Sequence, residues 1–84
     1  MSILKVSIRQ VKAARALVGW SQDQLADASG VSIATIKRLE AADGMLGGRA
    51  DTGDRIIAAL QVAGALFIQE NGEGPGVRLR KERG

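Results

Sequence analysis

The chain has 84 residues and a formal net charge of +3 from twelve basic and nine acidic side chains, with no cysteine, histidine or tyrosine. A domain of this length buries only about 60% of the surface its unfolded chain exposes, so its apolar residues are needed for a core, and a deep substrate pocket is not expected. Without cysteine or histidine there is no disulfide, thiolate or imidazole chemistry, and the carboxylates show no paired cluster or metal spacing, so neither an enzyme nor a metal or cofactor site is expected.

Helix starts are the clearest local signal. A serine able to cap free backbone amides, with an apolar residue before it and another four after it, occurs as Val6-Ser7 with Val11, Trp20-Ser21 with Leu25, and Val31-Ser32 with Ile36. Gln10 and Gln24 complete a reciprocal capping box for the first two. The spacing predicts a first helix from Ile8 to about Val18, burying Val11, Ala14 and Val18 and ended by Gly19. A second helix follows over Gln22–Ser29, with Leu25 and Ala26 inward and Gly30 as its stop. The third runs from Ile33 to about Ala42 and buries Ile36 and Leu39.

Residues 43–48 read as a glycine-rich loop, and a fourth helix is expected from near Thr52, carrying Ile56, Ile57, Leu60 and Ala63 and ending at Gly64. Beyond it the apolar period changes to two, around Leu66 and Ile68 and again around Val77 and Leu79, which predicts two short strands joined by a flexible 71–76 loop. That loop is not expected to cradle a phosphate, since no helix follows it.

Charge is uneven. Residues 1–20 hold Lys5, Arg9, Lys12 and Arg15 with no acid, and the last eight hold Arg78, Arg80, Lys81 and Arg83 against Glu82, whereas acids outnumber bases between them. Contact with a polyanion must therefore be focused by geometry. The apolar run Ile56–Ile68 is too short to span a bilayer, and Met1–Lys5 lacks a secretory leader pattern, which makes the cytoplasm the expected compartment and no membrane partner expected.

Two short helices joined by a tight glycine-containing turn form a helix-turn-helix arrangement. Counted from Gln22, Ala26 falls where two such helices cross closely, Gly30 at the turn, and Leu25, Val31, Ile36 and Leu39 in the core between them. Over Arg15–Glu40, and more loosely over Ile8–Ala63, the sequence resembles the phage-repressor and Cro-like (Xre-like) helix-turn-helix family. It departs from the family pattern at Ser29 and Gly53, where apolar residues are usual, and at Ile33 and Ala34, where glutamines are frequent. The expected fold class is mostly α: a four-to-five-helix repressor-like helix-turn-helix domain over residues 1–64, with a short C-terminal β-hairpin or strand pair and basic tail over 65–84.

The resemblance implies that the third helix lies in the major groove of double-stranded DNA. Its candidate contacts are Ser32, which also caps the helix, Ile33 and Ala34 against thymine methyl groups, Thr35, Lys37 toward a phosphate, and Arg38, whose guanidinium is suited to guanine. Gln22 at the start of the second helix is a phosphate candidate, with Lys12 and Arg49 weaker ones. Arg15 shares the buried face of helix one and needs a counterion, for which Glu40 is suited, so this pair is assigned to structure. Trp20 reads as a staple at the core rim. With Phe67 the only other aromatic, stacked single-stranded nucleic acid or RNA binding is disfavoured.

Leu66, Ile68, Val77 and Leu79 are expected on one face of the hairpin, which either packs on helix four or, in the favoured reading, serves as a surface for dimerisation. The resulting reading is a dimeric transcriptional repressor of an inverted-repeat operator. The alternative is an antitoxin or other protein-interaction module, in which helix four and Arg78–Arg83 hold a partner.

Overall fold

Three serine caps set the helix starts in the computed structural model, which describes residues 5–47 and 50–81. The elements in order are α1 (Ile8–Val18), α2 (Gln22–Ser29), α3 (Ile33–Ala41), α4 (Ala50–Val62), β1 (Ala65–Ile68) and β2 (Gly76–Leu79). Ser7, Ser21 and Ser32 lie in extended backbone, and each side chain accepts a hydrogen bond from the amide three residues on. Gln10 and Gln24 return the bond, their side-chain oxygens accepting from the amides of Ser7 and Ser21 at 2.9 and 2.8 Å. Gly19 and Gly30 close α1 and α2 with φ of 76° and 73°, a left-handed conformation that an L side chain adopts only at a cost.

One apolar core joins all six elements. Val11 and Ala14 of α1, Leu25 of α2, Ile36 of α3, Ile56, Ile57 and Leu60 of α4 and Ala65 of β1 are buried together, with Val18, Ala26, Leu39 and Phe67 packed more loosely around them. Ala63 differs from expectation: α4 ends at Val62, so Ala63 lies in the following turn and is exposed.

The loop after α3 is tied down. The amide of Ile8 donates to the Gly44 carbonyl and the amide of Leu46 to the Val6 carbonyl, both at 2.8 Å, and Ser7 and Met45 form an isolated antiparallel bridge. This tie delivers Leu46 onto α4, which begins at Ala50, two residues before the expected start. A Cβ at Gly53 would lie 3.2 Å from Leu46 Cδ2. Leu46 thus occupies the volume of the apolar side chain that position 53 lacks, and glycine gives it room.

The hairpin corrects one expectation. β1 and β2 pair antiparallel with Ala65 opposite Leu79, Leu66 opposite Arg78, Phe67 opposite Val77 and Ile68 opposite Gly76. Directly opposed residues share a face, so Leu66 and Ile68 lie on one side and Val77 and Leu79 on the other. A shift of one residue in register separates the four positions expected together. The inward face is Ala65, Phe67 and Val77, packed on the core, so Val77 does not offer a dimerisation surface.

The 69–75 connection is organised by its own side chains. A Glu70 carboxylate oxygen accepts from the amides of Gly72 and Gly74 at 2.8 and 3.2 Å, and Asn71 Oδ1 accepts from the amide of Glu73. Gln10 fastens this hairpin to α1: its buried Nε2 donates to the carbonyls of Ile68 at 3.2 Å and Gly76 at 2.9 Å. Among the described residues, no helix is long and apolar enough to cross a membrane.

Candidate nucleic-acid interface

α3 presents a two-sided surface because Ile36 and Glu40 point inward, one turn apart, and are buried. Their burial turns Ala34, Lys37 and Arg38 outward, and all three are exposed, as is the cap residue Ser32. Positions 34, 37 and 38 are helical neighbours by three- and four-residue spacing, so a short methyl side chain sits beside two cations. Ser32 serves its helix: its oxygen accepts from the Thr35 amide at 3.2 Å, and its hydroxyl donates to Thr35 Oγ1 at 2.9 Å. Thr35 is half-buried.

Ile33 has a packing reason that its sequence position hides. It is half-buried and, with Asp23, Ala26, Asp27, Val31 and Ser32, lines a shallow hollow between α2 and the start of α3. Asp23 and Asp27, both exposed, bring two carboxylates to the lining of that hollow. Their four-residue spacing within α2 was the available signal, since it places both on one helix face.

The angle between the helices is held by one ion-pair cluster. Arg15 reaches from α1 and binds Glu40 of α3 with two parallel hydrogen bonds, Nε to Oε2 at 2.8 Å and Nη2 to Oε1 at 2.7 Å, while Nη1 donates to the Trp20 carbonyl at 3.0 Å. Gln22 Nε2 adds a third donor to Glu40, at 3.1 Å from Oε1. The ends of α1 and α3 and the start of α2 therefore meet on one carboxylate. The side chains are 22% exposed for Arg15 and 5% for Glu40.

Burial alone would push the Glu40 carboxyl up. The hydrogen bonds from Arg15 and Gln22, together with the charges of Arg15 and Lys12, outweigh burial and hold it below the ordinary carboxylate range. A carboxyl lowered in the folded state contributes stability that is present in full above its unfolded pKa and is lost as pH falls through the folded one. Glu40→Gln should therefore be less stable than the parent at pH 7, and the gap should close on acidification below the ordinary carboxylate range. Urea midpoints of the two proteins across pH check this. A gap that stays constant with pH would show that the charge of Glu40 is not what holds the cluster.

Lys12 is exposed on α1 and close enough to lower the carboxyl pKa of both Glu40 and Asp43. Asp43 is also lowered, first by the hydrogen bond from the Gly44 amide and then by Arg9, with which it forms an exposed pair at 3.3 Å. Arg49 and Arg83 lie outside the described residues, as does Gly48 of the loop. Ser29 departs from the family pattern without harm to the turn: its hydroxyl donates to the Ala26 carbonyl, and its oxygen accepts from the Val31 amide. Among the described residues, no group of three or more acidic side chains stands close enough to hold a metal ion.

With this geometry established, comparison with known proteins is specific on one point. A family model described as helix-turn-helix matches residues 11–49, most of α1 through the end of α3 and the loop beyond. No curated protein matches the chain. The capped α2–turn–α3 unit, the left-handed Gly30 and the matched segment agree: over residues 11–49 the chain is similar to the helix-turn-helix family, which supports a DNA-binding regulator.

Proposed function

We propose that the chain is a repressor that occupies an inverted-repeat operator as a homodimer, each copy placing α3 in a major groove. The observation that carries this reading is the outward trio Ala34, Lys37 and Arg38 on a helix whose opposite side is locked into the core. Arg38 is assigned to a guanine edge, Lys37 to a phosphate, and Ile33, Ala34 and Thr35 to apolar and short polar contacts with bases. Ser32 and Gln22 approach the backbone. Gln22 keeps one amide N–H for a phosphate while the other holds Glu40. Lys12 and Arg49 extend the phosphate track.

One α3 makes too few contacts for tight selective binding, and two copies with two-fold symmetry set half-sites about 34 Å apart. Residues 1–64 are the DNA-binding unit in this reading, and the hairpin of 65–84 is where copies meet, through the outer face that bears Leu66 and Ile68. Asp23 and Asp27 stand beside the reading surface and repel phosphates, so affinity depends on a good fit between groove and helix.

Fluorescence anisotropy against duplexes containing inverted repeats, over a range of salt, tests the reading. Parent affinity should fall steeply with salt while a preference for one repeat survives. Arg38→Ala should cost about 1–3 kcal/mol on the preferred duplex and relax its selectivity, whereas Lys37→Ala should weaken all duplexes alike and flatten the salt slope by about one. If neither substitution alters binding, the surface assigned to DNA is wrong.

A further inference from the structure

Among the described residues, three of the four exposed large apolar side chains lie together: Leu17 at 43% exposure, Val62 at 85% and Leu79 at 47%. They come from α1, α4 and β2 and converge on one open groove, lined also by Arg80 and Lys81. A second hollow adjoins it across Val62 and is lined by Trp20, Ala28, Arg55 and Ala58. Val62 is thus the crest of a continuous apolar trough between the ends of α1 and α4, the hairpin and α2. No residue of α3 lines either hollow, so a molecule seated here would leave the DNA-reading helix free. An isolated exposed apolar residue is ordinary, but three converging on one trough mark an interaction surface.

The charges lining the trough name the occupant. Among the described lining residues the charged ones are Arg80 and Lys81 in the first hollow and Arg55 in the second, all basic, with Arg55 paired to Asp51 of its own helix at 3.6 Å. Arg80 is held in place: its backbone amide bonds the Gly64 carbonyl, its Nη2 donates to the Gln61 carbonyl at 2.9 Å, and the residue is exposed. A second copy of this chain docked symmetrically would set Arg80 and Lys81 of the two copies against each other. An amphipathic helix with leucine-like anchors at helical spacing and glutamates on its flanks matches both the apolar crest and the basic rim. We propose that the Leu17–Val62–Leu79 trough docks an acidic amphipathic helix of another protein, so that the regulator carries a protein-binding surface separate from α3.

The test uses the full chain and two synthetic helical peptides of roughly 15 residues, long enough to be helical when stapled. Both carry leucine at positions i, i+3 and i+7, and the remaining positions are mostly glutamate in one and lysine in the other. Trp20 lines the trough and is the chain's single tryptophan, so its emission reports binding directly. The glutamate peptide should shift Trp20 emission saturably, more weakly at high salt, and the lysine peptide should not. Val62→Glu, and separately the double change Arg80→Glu with Lys81→Glu, should each weaken the glutamate peptide by at least about tenfold. The thermal melt of Val62→Glu should match the parent, since that side chain is 85% exposed; the Arg80 and Lys81 double variant gives up the bond to the Gln61 carbonyl and is measured at a temperature where it is folded.

No response to the glutamate peptide, an equal response to the lysine peptide, or unaltered binding by both variants overturns the proposal. A dimer in sedimentation that Val62→Glu converts to monomer also overturns it, because the trough would then be closed by a second copy. DNA binding by Val62→Glu should equal the parent's, and its loss in a folded variant counts against a separate surface. Failure of the DNA reading would instead show in the Arg38 and Lys37 series and leave this result standing.

Discussion

Glu40→Ala should lower the stability of the domain by about 3 kcal/mol, enough to reduce its melting temperature by more than about 10 °C. The cost arises from what the carboxylate leaves behind. Arg15, only 22% exposed, loses both hydrogen bonds to its counterion, and Gln22 Nε2 loses its acceptor. A charge stranded in a partly dry site destabilises far more than a missing contact, and the total stability of a small domain is on the order of 5–15 kcal/mol. Removing both charges together should be much milder: Arg15→Met with Glu40→Leu should recover most of the loss, since two apolar side chains of similar volume need no counterion. Thermal and urea unfolding of the single and double variants measure this. Equal losses would mean that the pair stabilises by attraction rather than by mutual neutralisation. The single variant should also weaken duplex binding even at temperatures where it is folded, because the cluster fixes α3 against α1 and α2.

Gln10→Glu should cost about 2 kcal/mol or more, although the substitution conserves the helix cap. Glutamate at the third helical position accepts the Ser7 amide as glutamine does. It does not donate, and Gln10 Nε2 is the donor that holds the Ile68 and Gly76 carbonyls to α1. The variant would face two carbonyl oxygens with a buried carboxylate. Protonation relieves this, so the folded-state pKa of the new carboxyl is raised. Its penalty should be full at neutral pH and shrink as pH falls through that raised pKa, the opposite sign to the Glu40 dependence. Urea midpoints against pH, with hydrogen exchange of the hairpin amides, check both the size and the location. A neutral result would mean that the hairpin is held by its apolar face alone.

Gln10 and Ile33 show how far the sequence could be read. The cap role of Gln10 was legible because Ser7 and Gln10 are three residues apart and their bond is made within one turn. Its second role joins residues 58 and 66 positions away, and no local pattern encodes it. Ile33 reads as an exposed apolar residue because its own helix offers it no buried side. The hollow that half-buries it is made by α2, and that surface exists only once the two helices cross.

The hairpin marks the same boundary in another form. Period-two alternation identified both strands, but alternation within a strand does not say which residue of one faces which residue of the other. Register does, and it moved Val77 and Leu79 to the side opposite Leu66 and Ile68. Sequence alone determined what is local and short in range: the three serine caps, the glycine stops with positive φ, the helix faces and the helix-turn-helix spacing. The tertiary structure alone decided the strand register, the placement of Leu46 over Gly53, the latch from Gln10 and the convergence of Leu17, Val62 and Leu79. The reason is physical. Capping and helix periodicity depend on atoms within a few residues of each other, whereas these four features depend on where separate elements meet, which is set by how their apolar faces fill one shared core.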